Sequence, residues 1–184
     1  MTRIAALELV ERDVESINLR RHMLACEAIM RALAGRLDED VDLWGLAGLL
    51  HDIDVERTTD DATRHGIEAA AELQRLGAPD ELTHAVSAHN VMTGVQAQTR
   101  MDIALVAADQ LSGLITAAAL VRPDKSLGGV ALKSLRKRFR ESAFARGVDR
   151  EAIDRCTELG LDRDDFMQIG LTAMQAIGAD LGLQ

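Results

Sequence analysis

Apolar residues recur every three or four positions along almost the whole chain, and only two prolines, Pro79 and Pro123, interrupt its 184 residues. That period places apolar side chains on one stripe of an α-helix, and no segment shows the two-residue alternation of a half-buried strand. Proline breaks helices, so its scarcity permits long ones. Aromatics are few, with three Phe, one Trp and no Tyr. The core must therefore be built from Leu, Ala, Ile, Val and Met, a set that favours helices over strands. The expectation is a single all-α domain over residues 1–184, long enough for one core and too short for two comfortable ones.

The spacing predicts helices over Ile4–Val14, Asn18–Leu37, Asp40–His51, Ala62–Leu76, Asp80–His89, Met101–Leu120, Leu132–Ala143, Asp149–Leu159 and Asp162–Leu181. VDLWGLAGLL is apolar nearly all round and reads as the central buried helix, with Asp38 or Asp40 available to cap it. DIDVERTTDD and Asn90–Gln98 read as loops, and Gly77 before Pro79 as a helix stop. On this division a metal-binding core covers about 18–121, and C-terminal helices over about 130–182 pack against it.

The N-terminal MTRIAALELVERDVES carries charges inside its apolar run, unlike a signal peptide. No stretch approaches the roughly 20 uncharged apolar residues of a membrane span. Cys26 and Cys156 match no zinc-finger or CxxC spacing. Reduced thiols and the absence of these signals suit a cytoplasmic protein. The net charge of −9 argues against general nucleic-acid or anionic-membrane binding. That charge is uneven: Arg122–Arg140 carries seven basic residues, including all three lysines, against Asp124 alone. This segment is either a solvated helix face or an anion-binding wall beside an active site.

His22 lies within the second predicted helix, and His51 and Asp52 end the most apolar one. Asp109 interrupts IALVAADQLSGL. A carboxylate buried in such a run needs a cation or strong donors. Imidazole and carboxylate together suit zinc, iron, manganese, cobalt or nickel better than calcium. An adjacent His-Asp pair at an unwinding helix end can face one ion, and the Asp can reach a second through its other oxygen.

The ordered pattern His22 … His51-Asp52 … Asp109 resembles the HD superfamily of metal-dependent phosphohydrolases. HDIDVERTTDDATRHGIEAAAELQRLGAPDELTHAVSAHN is similar to its HDIG-type branch, and AADQLSGLITAAALVRPDKSL to a group of small predicted HD hydrolases. The resemblance implies a helical bundle with the metal site between central helices. His22, His51, Asp52 and Asp109 would be the four shared ligands. His65 and His89 would match the two extra histidines of dinuclear members, with Asp52 bridging. His84 is five residues from His89, about 500° around a helix, and is either a substrate-side group or a surface residue. Asp54 replaces the HDIG glycine, and can orient a ligand histidine, act as a base or face solvent. NVMTGVQAQTR stands where cyclic-di-GMP phosphodiesterases carry a GYP element, which counts against that substrate.

The implied activity is hydrolysis of a small phosphorylated metabolite or nucleotide by hydroxide on one or two divalent metals. Charge on the leaving group would be met by Arg122 or Lys125, with Lys133 as a further candidate, because their segment follows the Asp109 helix. Two alternatives share the same donors: a dinuclear-iron oxygenase, and a non-catalytic metal- or nucleotide-binding domain. Oligomeric state is not legible.

Overall fold

The computed structural model describes all 184 residues and contains nine α-helices and no strand. They are α1 (Arg3–Asp13), α2 (Ile17–Leu37), α3 (Val41–Leu50), α4 (Ile67–Arg75), α5 (Asp80–Ala88), α6 (Arg100–Leu120), α7 (Leu132–Arg140), α8 (Arg150–Asp154) and α9 (Arg163–Ala176). Short polar side chains accept the first free amides of several helices. Thr2 caps α1, Ser16 caps α2, Asp149 caps α8 and Asp162 caps α9. Asp40 caps α3 through Asp42 N and Leu43 N, while Asp38, left-handed at φ 61°, closes α2. Thr99 and Asp102 form a reciprocal capping box at α6.

α6 is the axis of the bundle, packed on by α2, α3, α5, α7, α8 and α9. It is long and apolar enough to cross a bilayer, but 67% of its apolar window is buried inside the protein and it carries Asp102 and Asp109. One apolar cluster runs from Ala6 to Leu183, and its largest fully buried side chains include Trp44, Phe166, Met23 and Met30. α2 and α3, joined by three residues, lie against one another, which sets His22 beside the end of α3.

The chain departs from the periodic reading at four places: the helix expected over Leu132–Ala143 stops at Arg140, that over Asp149–Leu159 tightens into a 3-10 helix from Arg155 to Leu159, and two larger departures lie at residues 62–66 and in the tail. The helix expected from Ala62 starts only at Ile67. Residues 51–66 wind through consecutive turns instead, because Gly66 sits at φ 90° and the Asp54 carboxylate takes the Gly66 and Ala69 amides that would begin the helix. A side chain at 66 would also meet the Val86 carbonyl at 2.8 Å. The last helix ends at Ala176 rather than near Leu181. The tail then folds back, with Leu183 N donating to Gly178 O and Leu127 N donating to Leu183 O.

Candidate metal centre

Five separate segments deliver six side chains to one buried point. α2 carries His22, the end of α3 carries His51 with Asp52 next in sequence, the turns before α4 carry His65, the end of α5 carries His89, and the middle of α6 carries Asp109. His22 Nε2 lies 3.3 Å from His51 Nε2 and 3.0 Å from Asp109 Oδ1. His65 Nε2 lies 3.1 Å from His89 Nε2. Asp52 stands between these groups. Its Oδ1 is 3.3 Å from His51, 3.3 Å from His65 and 3.4 Å from His89, and its Oδ2 is 3.5 Å from His22.

The remaining ring nitrogens decide which tautomer each imidazole adopts. His51 and His89 are the C-cap residues of α3 and α5. Each donates Nδ1–H to the carbonyl three residues earlier, Gly48 O at 2.9 Å and Val86 O at 2.6 Å. Those carbonyls are free because a helix leaves its last four acceptors unpaired. His65 Nδ1 donates to Asp54 Oδ1 at 2.8 Å. Ser112 gives its own proton to the Asp109 carbonyl, so its oxygen accepts from His22 Nδ1 at 3.0 Å. In each ring the Nδ1 partner thus leaves Nε2 aimed inward, free to bind a metal once any proton on it is displaced, the arrangement in which outer hydrogen bonds orient histidines as metal ligands.

Lone pairs facing one another at 3.0–3.5 Å repel unless a cation lies between them. Donors about 2.1 Å from a shared ion stand about 3.0–3.4 Å apart in octahedral or tetrahedral geometry. The donor set thus fits a divalent transition metal. Burial, helped by the neighbouring His89 and His22, pushes His51 down to about 4 against the pull of Asp52 and Asp109, so its ring is neutral as a ligand must be. Burial would raise the Asp52 carboxyl, but His51 and the other imidazoles outweigh it and hold it well below the usual range.

Asp54 is fully buried and orients His65. Its Oδ1 holds His65, and its Oδ2 accepts both Gly66 N and Ala69 N at 2.8 Å, so one carboxylate starts α4 and sets His65. Gln110 donates to Asp109 Oδ2 at 2.7 Å and accepts Asp149 N at 2.8 Å, which leaves Asp109 Oδ1 turned toward His22. A cavity of about 340 Å³ opens onto Asp52, His65, His89 and Asp109, and is edged by Asn90, Gln110 and Asp149.

Ser112, Gln110 and Asp149 were not anticipated. The first two are polar residues inside the same apolar run that singled out Asp109, and that was their signal. Arg122 and Lys125 are not brought to the centre, contrary to expectation. Asp109 lies eleven residues before the end of α6, about 16 Å along the axis. Arg122 then turns back onto Asp124 and the Gly129 carbonyl. Lys125 and Lys133 are exposed, and Arg136 and Arg138 pair with Asp164 and Glu141, so the basic segment is mainly a solvated face. His84 also stays apart, with Nδ1 3.0 Å from Asp102 Oδ2 and a side chain that is 41% exposed.

A family model described as the HD domain matches residues 19–114. Over 96 residues the chain is 31% identical to ribonuclease Y of Desulfotalea psychrophila and of Thermobifida fusca, and 30% identical to that of Chloroflexus aurantiacus. These matches cover 52% of this chain but only 18–19% of each relative. No solved structure gives a significant match. The matched span contains the whole six-residue donor set together with Asp54, Gln110 and Ser112, and the chain belongs to the HD domain family.

Proposed function

We propose that this protein is a metal-dependent phosphohydrolase acting on a small phosphate ester. The observation that carries the reading is the convergence of four tautomer-fixed Nε2 atoms and two carboxylates at coordination spacing. His22, His51, Asp52 and Asp109 would hold one ion, and His65, His89 and Asp52 a second, with Asp52 shared. Bound divalent metal supplies a hydroxide near neutral pH and neutralises charge on the phosphoryl oxygens.

The protein's own groups do the positioning. Gly48 O, Val86 O, Ser112 and Asp54 hold Nδ1 of the imidazoles and so turn each Nε2 toward the centre. Gln110 fixes Asp109. Asp149 accepts Glu151 N and Ala152 N through Oδ1, and its other oxygen is available to hydrogen-bond a hydroxyl or amine on the leaving side.

The ribonuclease Y relatives support a second reading, cleavage of an RNA phosphodiester at the same centre. The mouth favours the small substrate. Its lining contains Asp149 and no Lys or Arg, and the chain carries −9 overall, whereas RNA binding draws on basic contacts to phosphate.

The test is a panel of small phosphomonoesters, linear and cyclic phosphodiesters and an oligoribonucleotide. It is run with manganese, cobalt, nickel, zinc and iron, the last with and without dioxygen. Phosphate release from small esters that disappears in Asp52→Ala is expected. An Asp52→Ala protein with full metal content and full activity, or turnover that needs iron and dioxygen, would overturn the proposal.

A further inference from the structure

A second cavity, of about 510 Å³, shares no lining residue with the mouth but reaches the metal centre at His22. Its polar lining comes from Asn18, Arg21 and His22 of α2 and Thr116 of α6. Its apolar lining comes from Leu120 and, in the folded-back tail, Leu181 and Leu183. The volume is in the range of small-molecule pockets. Thr116 is seven residues beyond Asp109, so the cavity extends about 10 Å along α6 from the metal centre.

Arg21 is the unexplained group in it. Arg21 is half-buried, and its side chain makes no hydrogen bond or ion pair within the protein. The other half-buried arginines are all engaged. Arg31, Arg122, Arg138 and Arg155 hold Asp42, Asp124, Glu141 and Glu158, while Arg20 and Arg150 hold main-chain carbonyls. In a chain with 30 acidic residues to 21 basic ones, a half-buried cation without a partner stands out. Its five donors in a planar fork match a carboxylate or phosphate. The tail is shaped around it: a Cβ at residue 182 would lie 2.6 Å from Arg21 Cζ, so Gly182 permits the backbone to lie against the guanidinium.

We propose that this cavity is a binding site for a small molecule carrying a phosphate or carboxylate on an apolar body. Arg21 anchors the anion, Asn18 and Thr116 supply neutral hydrogen bonds, and Leu120, Leu181 and Leu183 cover the body. Because His22 forms part of the wall, the occupant sits against a side chain of the metal centre. The binding claim is independent of the reaction; only its assignment to the far end of a substrate rests on the proposed hydrolase.

The probes are n-hexyl phosphate, inorganic phosphate and hexanol, titrated into the metal-loaded full chain while backbone amide chemical shifts are followed. Saturable shifts at Gly113, Thr116, Ala117 and Gly182 are expected with hexyl phosphate, at an affinity roughly tenfold or more above either fragment. Arg21→Met should weaken this binding roughly tenfold or more. Leu120→Asp, at an exposed rim position, should weaken hexyl phosphate and leave inorganic phosphate unchanged. Shifts confined to Asn90 and Asp149, or an affinity unmoved by Arg21→Met in a folded protein, would overturn the proposal. Should hexyl phosphate compete with substrate in an Arg21-dependent way, the occupant is the far end of the substrate. A change in kcat without competition identifies a separate effector in the same site. A protein inactive toward every ester, yet binding the probe through Arg21, refutes the hydrolase and leaves this site standing.

Discussion

Replacing Asp54 with Asn changes one proton on His65 and little else in shape. Both main-chain bonds of Asp54 go to Oδ2, from Gly66 N and Ala69 N, each at 2.8 Å. An Asn carbonyl can occupy that position and keep the start of α4. The amide nitrogen must then replace Oδ1, 2.8 Å from His65 Nδ1. Two donors cannot share that contact, so Nδ1 becomes an acceptor and the proton moves to Nε2, the nitrogen aimed at Asp52 and His89. Loss of a hydrogen bond behind a ligand histidine costs 10–100-fold in metal affinity, about 1.4–2.8 kcal/mol. On the proposed two-ion reading, the loss should fall on an ion at His65 and His89 and spare one at His22, His51 and Asp109. Folding should lose only about 1–2 kcal/mol, the charge-assisted part of the cap. In Asp54→Ala the cap itself also goes, for about 1 kcal/mol more, with two amides left short of acceptors. Calorimetric metal titration with elemental analysis, beside thermal unfolding of metal-free protein, reads both effects. If Asp54→Asn bound two ions as tightly as the parent, or lost both equally, the tautomer argument would be refuted.

Burial lowers the affinity of His65 for its proton, but hydrogen bonds to Asp52 and Asp54 outweigh this and push it up to about 9. The folded value lies above the ordinary ~6.5, so metal-free protein should carry stability from this group below about pH 6.5 and lose it as pH rises toward about 9. Metal must displace that proton, so affinity at the His65 position should rise up to tenfold per pH unit until about pH 9, with proton release detectable by calorimetry in buffers of different ionisation enthalpy. Gly66→Ala should destabilise by about 1–3 kcal/mol, since φ 90° is strained for Ala and its Cβ would meet Val86 O at 2.8 Å; a denaturant midpoint equal to the parent's would contradict the strain. The double variant Arg122→Ala, Lys125→Ala should keep wild-type kcat and KM and lose at most about 1 kcal/mol of stability, because both side chains lie away from the mouth; a large fall in kcat would return them to the active site.

Much of the bundle was legible because helical periodicity and capping are local. Asp40 and Asp162 mark helix starts in the sequence as they do in the fold. Asp109 and the His51-Asp52 pair were legible for a related reason, whereas His65 and His89 followed only from the resemblance to the HD superfamily. A carboxylate such as Asp109 inside an apolar run has no solvent to satisfy it, so its sequence neighbours already demand a cation. His84 and His89 show the limit: both are polar residues on one amphipathic helix, and only packing aims His89 at Asp52 while His84 faces Asp102.

Tertiary structure alone decided the rest. That Asp54 would orient His65 depended on residues eleven and more positions away returning to it, a contact that no periodicity encodes. That Arg122 would turn outward depended on a local carboxylate, Asp124, outcompeting a site about 16 Å distant. The sequence by itself determined an all-helical chain with a histidine-aspartate set that calls for metal. The fold decided which nitrogen each histidine offers, because a tautomer is set by the partner of the opposite ring atom. In this protein those partners are helix-end carbonyls, a serine and a carboxylate that packing brings into place.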